Sequence, residues 1–155
     1  KDLPMQRQDK ICILIPAYNA ESTLGSVLEK IRPLGIDSIV VNDGSVDQTK
    51  KVALEYGAVL LEHASNLGKG VALRTGFQHI LQKDYQVVIT VDADGQHEPA
   101  YLDQMLKASF KTAAGDDSGD NPAKGLAGHA VPEVIGVAGQ LGVCRLLANP
   151  LKQTE

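Results

Sequence analysis

The sequence has no tryptophan, only two cysteines, no excess of basic residues and no long apolar run, and each shortage removes a class of protein. No stretch approaches the roughly 18 consecutive apolar residues that a membrane-spanning helix needs, so no transmembrane segment is expected in this chain. The polar start, Lys1 to Lys10, is unlike a secretory signal. Cys12 and Cys144 stand far apart and neither belongs to a C-x-x-C pair, which argues against a zinc site. A reduced, intracellular protein is expected, and the predicted location is the cytoplasm, peripheral to a membrane. The formal charge of -4 and the lack of a basic stripe speak against nucleic acid as a partner. The chain begins at Lys1 rather than methionine, as expected for a piece of a longer protein.

What is present is the composition of a folded domain. With 155 residues, 43% hydrophobic and 22% charged, one compact unit with a real core is expected. Its first hundred residues alternate between two periodicities. Ile11-Cys12-Ile13-Leu14-Ile15 is a continuous apolar run closed by Pro16, the pattern of a strand covered on both faces. Leu24, Val27, Leu28 and Ile31 then fall at helical spacing, with Pro33 as the stop. The β-branched run Ile36 to Val41 predicts a second strand. Ser45 and Gln48 form a capping-box pattern before a second helix that carries Val52, Ala53 and Tyr56 and ends at Gly57. Ala58 to Leu61 predicts a third strand, and Leu73, Phe77, Ile80 and Leu81 a third helix. Gln86 to Val91 predicts a fourth strand, and Pro99 suits the first turn of a fourth helix with Leu102, Met105 and Leu106 inward. Four such alternations predict an α/β fold, a mostly parallel sheet with helices on both faces.

After about residue 110 the pattern fades. Lys111 to Glu155 contains no aromatic residue, and Ala113 to Pro122 reads as a solvated linker. Val131 to Val143 is apolar but interrupted by Gly136, Gly139 and Gly142, consistent with a loose strand-turn or a poor helix. The predicted division is therefore residues 10–110 as the binding half and 111–155 as a Gly/Ala-rich tail.

In parallel sheets ligands bind beyond the carboxyl ends of the strands, which directs attention to the residues just after each one. Asp92-Ala93-Asp94-Gly95 follows the fourth strand. Alternation sends both carboxylates the same way, and a divalent cation would relieve their repulsion; oxygen ligands favour magnesium or manganese. Gln96 or His97 could add a ligand, and the simpler reading of the same letters is an acidic turn. Asp43 follows the second strand and could accept hydrogen bonds from a ribose or base, or could cap the next helix. Pro16-Ala17-Tyr18-Asn19 offers an aromatic face and an amide beyond the first strand, where Tyr18 could stack on a base or simply pack. In Asn66-Leu67-Gly68-Lys69-Gly70 the lysine could meet a phosphate at a helix start or remain solvated. This is no Walker A loop, because the spacing and the following hydroxyl are missing. Among the histidines only His97 adjoins the acid pair; His63, His79 and His129 read as surface or cap residues. That three of these segments should converge on one sheet edge favours a site over independent turns.

The segments Ile15-Pro16-Ala17-Tyr18-Asn19-Ala20-Glu21, Val40 to Thr49, Asn66 to Gly70 and Val91 to His97 together resemble the inverting glycosyltransferases of family 2. The dolichyl-phosphate mannose synthase-like branch is the nearest likeness, over about residues 10 to 108. The resemblance implies a Rossmann-like GT-A fold with a shortened C-terminal half, and a UDP- or GDP-linked sugar donor. It implies that Pro16, Ala17, Tyr18, Asn19 and Asp43 surround base and ribose and that Lys69 lies near the nucleotide. Asp92 and Asp94, with Gln96, would address a Mg2+ or Mn2+ ion bridging the donor diphosphate, and Asp92 would also contact the donor. The implied acceptor is a polyprenyl or dolichyl phosphate at a membrane surface, or a glycan. Such an inverting transfer also needs a general base on the acceptor side, and no clear counterpart of that half is visible. Glu133 is the one acid in the apolar tail, and the expectation is against its serving as that base. A donor-binding remnant without turnover is therefore the main alternative. A haloacid-dehalogenase-like phosphatase fits less well, since its D-x-D-G motif ends the first core strand and a hydroxyl residue follows the glycine where Gln96 stands here. A dinucleotide oxidoreductase would need G-x-G-x-x-G after the first strand.

Overall fold

The computed structural model describes residues 10–95, 132–138 and 141–146. Strands β1 (Ile11–Ala17), β2 (Asp37–Asp43), β3 (Val59–His63) and β4 (Val87–Thr90) alternate with helices α1 (Leu24–Ile31), α2 (Thr49–Glu55) and α3 (Lys69–Leu81). Two further strands follow, β5 (Pro132–Ala138) and β6 (Leu141–Leu146). The sheet order is β3-β2-β1-β4-β6-β5. β1 pairs parallel with β2 on one side and β4 on the other, β2 pairs parallel with β3, and β6 joins antiparallel to both β4 and β5.

The apolar pattern explains the layers. In β1, Ile13, Ile15 and Ala17 face one side and pack with Leu24, Val27, Leu28 and Ile31 of α1 and Ala53 of α2. Cys12 and Leu14 face the other side, where they meet Ala72, Phe77 and Ile80 of α3. A strand covered on both faces must be apolar at every position, hence the unbroken run in the sequence. Burial also pushes the Cys12 thiol pKa well above its ordinary value, so this cysteine is a packing residue.

Pro16 lies inside β1 rather than closing it. Leu14 O accepts a hydrogen bond from Val91 N, so Leu14 and its alternate, Pro16, both turn their backbone groups toward the β4 side. β4 ends at Thr90, opposite Leu14, and the missing N–H of Pro16 therefore falls beyond the ladder.

The capping box fails: α2 begins at Thr49, and Gln48 makes no side-chain cap. Asp47 takes that role instead, its Oδ1 accepting Thr49 N at 3.0 Å, while Ser45 Oγ is used by Asn19 N at 2.9 Å. Of the glycine-broken segment Val131 to Val143, the described residues are strand rather than helix: β5 and β6 pair antiparallel with a register shift between Val134 and Gly136. The expected fourth helix with Pro99, Leu102, Met105 and Leu106 lies outside the described residues, as do Gln96 and His97. Among the described residues no helix is long and apolar enough to cross a membrane.

Candidate functional site

The strand order creates the site. The chain runs outward through β1, β2 and β3 and then returns to place β4 against the other side of β1. The carboxyl ends of β1 and β4 therefore lie side by side, at the edge of the sheet where ligands bind in folds of this kind. A cavity of about 590 Å³ occupies it. Pro16, Ala17, Tyr18, Asn19, Asp43, Lys69, Asp92 and Asp94 all line this one cavity, so the described residues expected to meet the donor or the cation are brought together, whereas Glu133 is not among them. Ala20, Asn66, Gly68 and Ala93, which belong to the same segments but were given no role, complete the lining together with Ser22, Thr23 and Ala72, to which the sequence reading did not point.

Reciprocal hydrogen bonds lock the segment after β1 to the segment after β2. Asn19 N donates to Ser45 Oγ while Val46 N donates to Asn19 Oδ1 at 3.0 Å. Glu21 N donates to Asp47 Oδ2 at 3.1 Å and Gln48 N to Glu21 Oε2 at 3.0 Å. Ala20 N reaches the buried Thr49 Oγ1 at 2.8 Å. Asn19 adopts φ 49°, a left-handed conformation that asparagine tolerates better than most residues. Tyr18, beside it, is 51% exposed and lines the cavity rather than packing in the core.

Asp43 is almost fully buried, and its carboxylate is a local anchor. Oδ1 accepts from His63 Nδ1 at 2.7 Å and from Leu67 N at 2.8 Å; Oδ2 accepts from Gly68 N at 2.9 Å. Burial works to raise the pKa of this acid, but the bonds from His63, Leu67 and Gly68 outweigh it and hold the carboxyl below the usual carboxylate range. Reading His63 as a surface or cap residue is therefore wrong: its side chain is 9% exposed and bridges Asp43 to Thr75 Oγ1, the latter at 2.7 Å. It ends β3 at the ligand edge, and that position was the signal available in the sequence.

Lys69, the first residue of α3, places Nζ 2.6 Å from Asp92 Oδ1. The lysine side chain is 59% exposed and the aspartate 17%, so the pair sits at the cavity mouth. On the other side Thr23 Oγ1 donates to Ala93 O at 2.6 Å and ties the 92–95 turn to the start of α1. No group of three or more His, Cys, Asp or Glu side chains that could hold a metal occurs among the described residues. Asp92 and Asp94 offer only oxygen donors, the type that suits a hard divalent cation, and two carboxylates alone would leave most of its coordination to other ligands.

Residues 12–124 match the sequence model of a family described as glycosyl transferase family 2. The chain belongs to glycosyl transferase family 2. A polyprenol monophosphomannose synthase of Mycolicibacterium smegmatis is 31% identical over 104 residues, covering 62% of this chain and 39% of that protein. A dolichyl-phosphate beta-glucosyltransferase of Trichomonas vaginalis is 31% identical over 121 residues, covering 66% of this chain and 36% of that protein. The fold resembles that of glucosyl-3-phosphoglycerate synthase of Mycobacterium tuberculosis, solved with Mg2+ and UDP. That likeness has a TM-score of 0.57 at 26% identity and covers 67% of this chain and 40% of the other. The chain spans less than half the length of the curated relatives it matches. A GT-A-like α/β architecture for this family 2 domain agrees with the parallel core of four strands.

Proposed function

We propose that the cavity binds a nucleoside-diphosphate sugar, with UDP or GDP as the nucleotide, and that the domain serves inverting transfer of the sugar to a lipid phosphate or glycan. The observation that carries this reading is the convergence of Tyr18, Asp43, Lys69, Asp92 and Asp94, from four separate segments of the chain, on one cavity at the carboxyl edge of the sheet. Pro16, Ala17, Tyr18 and Asn19 offer a flat, partly apolar wall for a base, and Asp43 an acceptor for ribose or base. Lys69 and the α3 start supply positive potential for a diphosphate.

Asp92 and Asp94 would hold a Mg2+ or Mn2+ ion, with Gln96 as a further candidate ligand. Such an ion, when bound, acts as a Lewis acid on the departing diphosphate. Lys69 shares that task, since its ammonium can move from the Asp92 carboxylate onto a diphosphate oxygen within the same cavity. The lipid acceptor is supported by the polyprenol and dolichyl-phosphate transferases among the relatives, and the cation and nucleotide by the synthase solved with Mg2+ and UDP.

The base is a separate question. Glu133 pairs with Arg145, and Arg145 with Val87 at the amino end of β4. That register sets Glu133 at the sheet edge away from Asp92, roughly 16 Å along the strand direction at about 3.3 Å per residue. Donor binding is thus the part of the reaction that the described residues carry, and a domain that binds donor without turnover is the second reading. Calorimetry with UDP, GDP and their sugars, with and without Mn2+, tests the proposal: Mn2+-dependent binding of one nucleotide is expected, and no binding of either overturns it. Transfer to polyprenyl phosphate then separates the transferase from the binding remnant.

A further inference from the structure

We propose that His63 is a positioning residue for the donor site, acting through Asp43 to fix the Asn66-Leu67-Gly68-Lys69-Gly70 turn and so to hold Lys69 at Asp92. The functional half of this inference rests on the donor-binding reading above; the structural half does not.

His63 is held at both ring nitrogens, by Asp43 Oδ1 and by Thr75 Oγ1, each at 2.7 Å. A carboxylate can only accept, so Nδ1 carries a hydrogen and donates it to Asp43. The Thr75 bond fixes the ring plane from α3, and the ring in turn fixes the orientation of the Asp43 carboxylate. That orientation matters because Asp43 has two further bonds to make, to the backbone N–H groups of Leu67 and Gly68. These amides lie immediately before α3, where no preceding turn of helix supplies acceptors. A rotated carboxylate would leave at least one of them without its charged acceptor.

A second contact holds the same turn independently. Gly44 has φ 71°, and a Cβ built on it would lie 2.2 Å from the Ser65 carbonyl carbon and 2.4 Å from Asn66 N. The backbone of residues 65–66 therefore rests directly on the backbone after β2. Gly68 adopts φ 100° and ψ 156°, a conformation essentially reserved for glycine, and this sharp reversal aims the next residue. The next residue is Lys69, whose Nζ reaches Asp92 Oδ1 at 2.6 Å. A line of contacts thus runs from Thr75 through His63, Asp43 and the Leu67 and Gly68 amides to Lys69 and the acid pair. Because Lys69 is covalently joined to Gly68, a turn released from Asp43 no longer fixes where the ammonium stands.

The test is a double-mutant cycle on the full chain, with affinity for UDP and GDP in Mn2+ as the functional readout. His63→Leu and Lys69→Met should each weaken nucleotide binding, by about tenfold for His63→Leu, and the double variant should lose little more than the worse single one. A merely structural histidine predicts losses that multiply, and that result overturns the proposal. His63→Asn places an amide N–H where Nδ1 stands and should recover most of the affinity although it cannot also reach Thr75. It serves in place of the leucine variant should that variant fail to fold. Amide hydrogen exchange without nucleotide reads the structural half: Leu67 and Gly68 should lose protection in His63→Leu and keep it in His63→Asn. Unchanged protection overturns the inference whatever the nucleotide data show. Failure of the unaltered protein to bind UDP or GDP, with protection lost as expected, overturns the donor reading and the functional half together while upholding the anchored turn.

Discussion

Lys69 Nζ stands 2.6 Å from Asp92 Oδ1, so the first residue of α3 and the turn after β4 close over the cavity mouth through one ion pair. The lysine occupies one of the two carboxylates assigned to the cation. A divalent ion arriving alone must compete with that ammonium, whereas an ion arriving with a diphosphate offers the ammonium another anion to meet.

Replacing Lys69 with Met should therefore shift two affinities in opposite directions. Binding of Mn2+ alone should tighten, by up to about fivefold on the scale of an exposed ion pair, while binding of UDP or GDP in the presence of Mn2+ should weaken. Calorimetric titration with metal and then with nucleotide measures both, and a parallel loss of the two would contradict the competition.

Asp94→Ala should remove the dependence of nucleotide affinity on Mn2+, leaving the weak binding that the unaltered protein shows without metal. Affinity that still rises on adding Mn2+ would remove Asp94 from the cation site. Asp92→Asn should behave similarly and should also release Lys69 from its ion pair at this position.

Gly44→Ala should destabilise the domain by more than about 2 kcal/mol, since the new methyl group meets backbone rather than a flexible side chain and the φ of 71° disfavours alanine. Urea denaturation measures the cost. The same variant should shift the amide resonances of Ser65 to Gly68, because the turn has to move for the chain to fold at all.

Acid should weaken the fold through two particular carboxylates. For Asp47, as for Asp43, burial tends to raise the pKa, but hydrogen bonds outweigh it; those to Asp47 come chiefly from the Thr49 hydroxyl and backbone and from Glu21 N. A carboxyl whose folded pKa lies below its unfolded value of about 4 contributes stability above that pH, and the contribution is lost as pH falls through the folded values. The urea midpoint should fall between about pH 5 and pH 3. In Asp43→Asn the midpoint should be lower at neutral pH and the fall on acidification shallower; an unchanged slope would show that Asp43 is not ionised more readily in the fold.

Much of this was legible in the letters because parallel sheets are written plainly. The unbroken apolar run of β1 follows from burial on both faces, and Leu24, Val27, Leu28 and Ile31 sit at the spacing of a helix that packs on one side. The rule that ligands lie beyond strand ends then pointed to Tyr18, Asp43, Asp92 and Asp94 without any coordinates. Local hydrogen bonding was harder to read. Ser45 and Gln48 match a capping box, yet Ser45 is used by Asn19, 26 residues away in the chain, and Asp47 supports the helix start instead. Similar short polar side chains can serve either purpose, and the choice depends on which loop arrives next to them.

The sequence by itself determined the alternation of strands and helices, the two-sided core and the carboxyl edge where a ligand would bind, because burial periodicity is a property of consecutive residues. Only the tertiary structure decided the rest. It brought β4 against β1, joined four segments of the chain around one cavity and put His63 behind Asp43. His63 and Asp43 end neighbouring strands in register, a pairing between residues 20 apart. No local pattern in a chain specifies which strand end stands beside another; strand order and register do, and both are set by how the whole core packs.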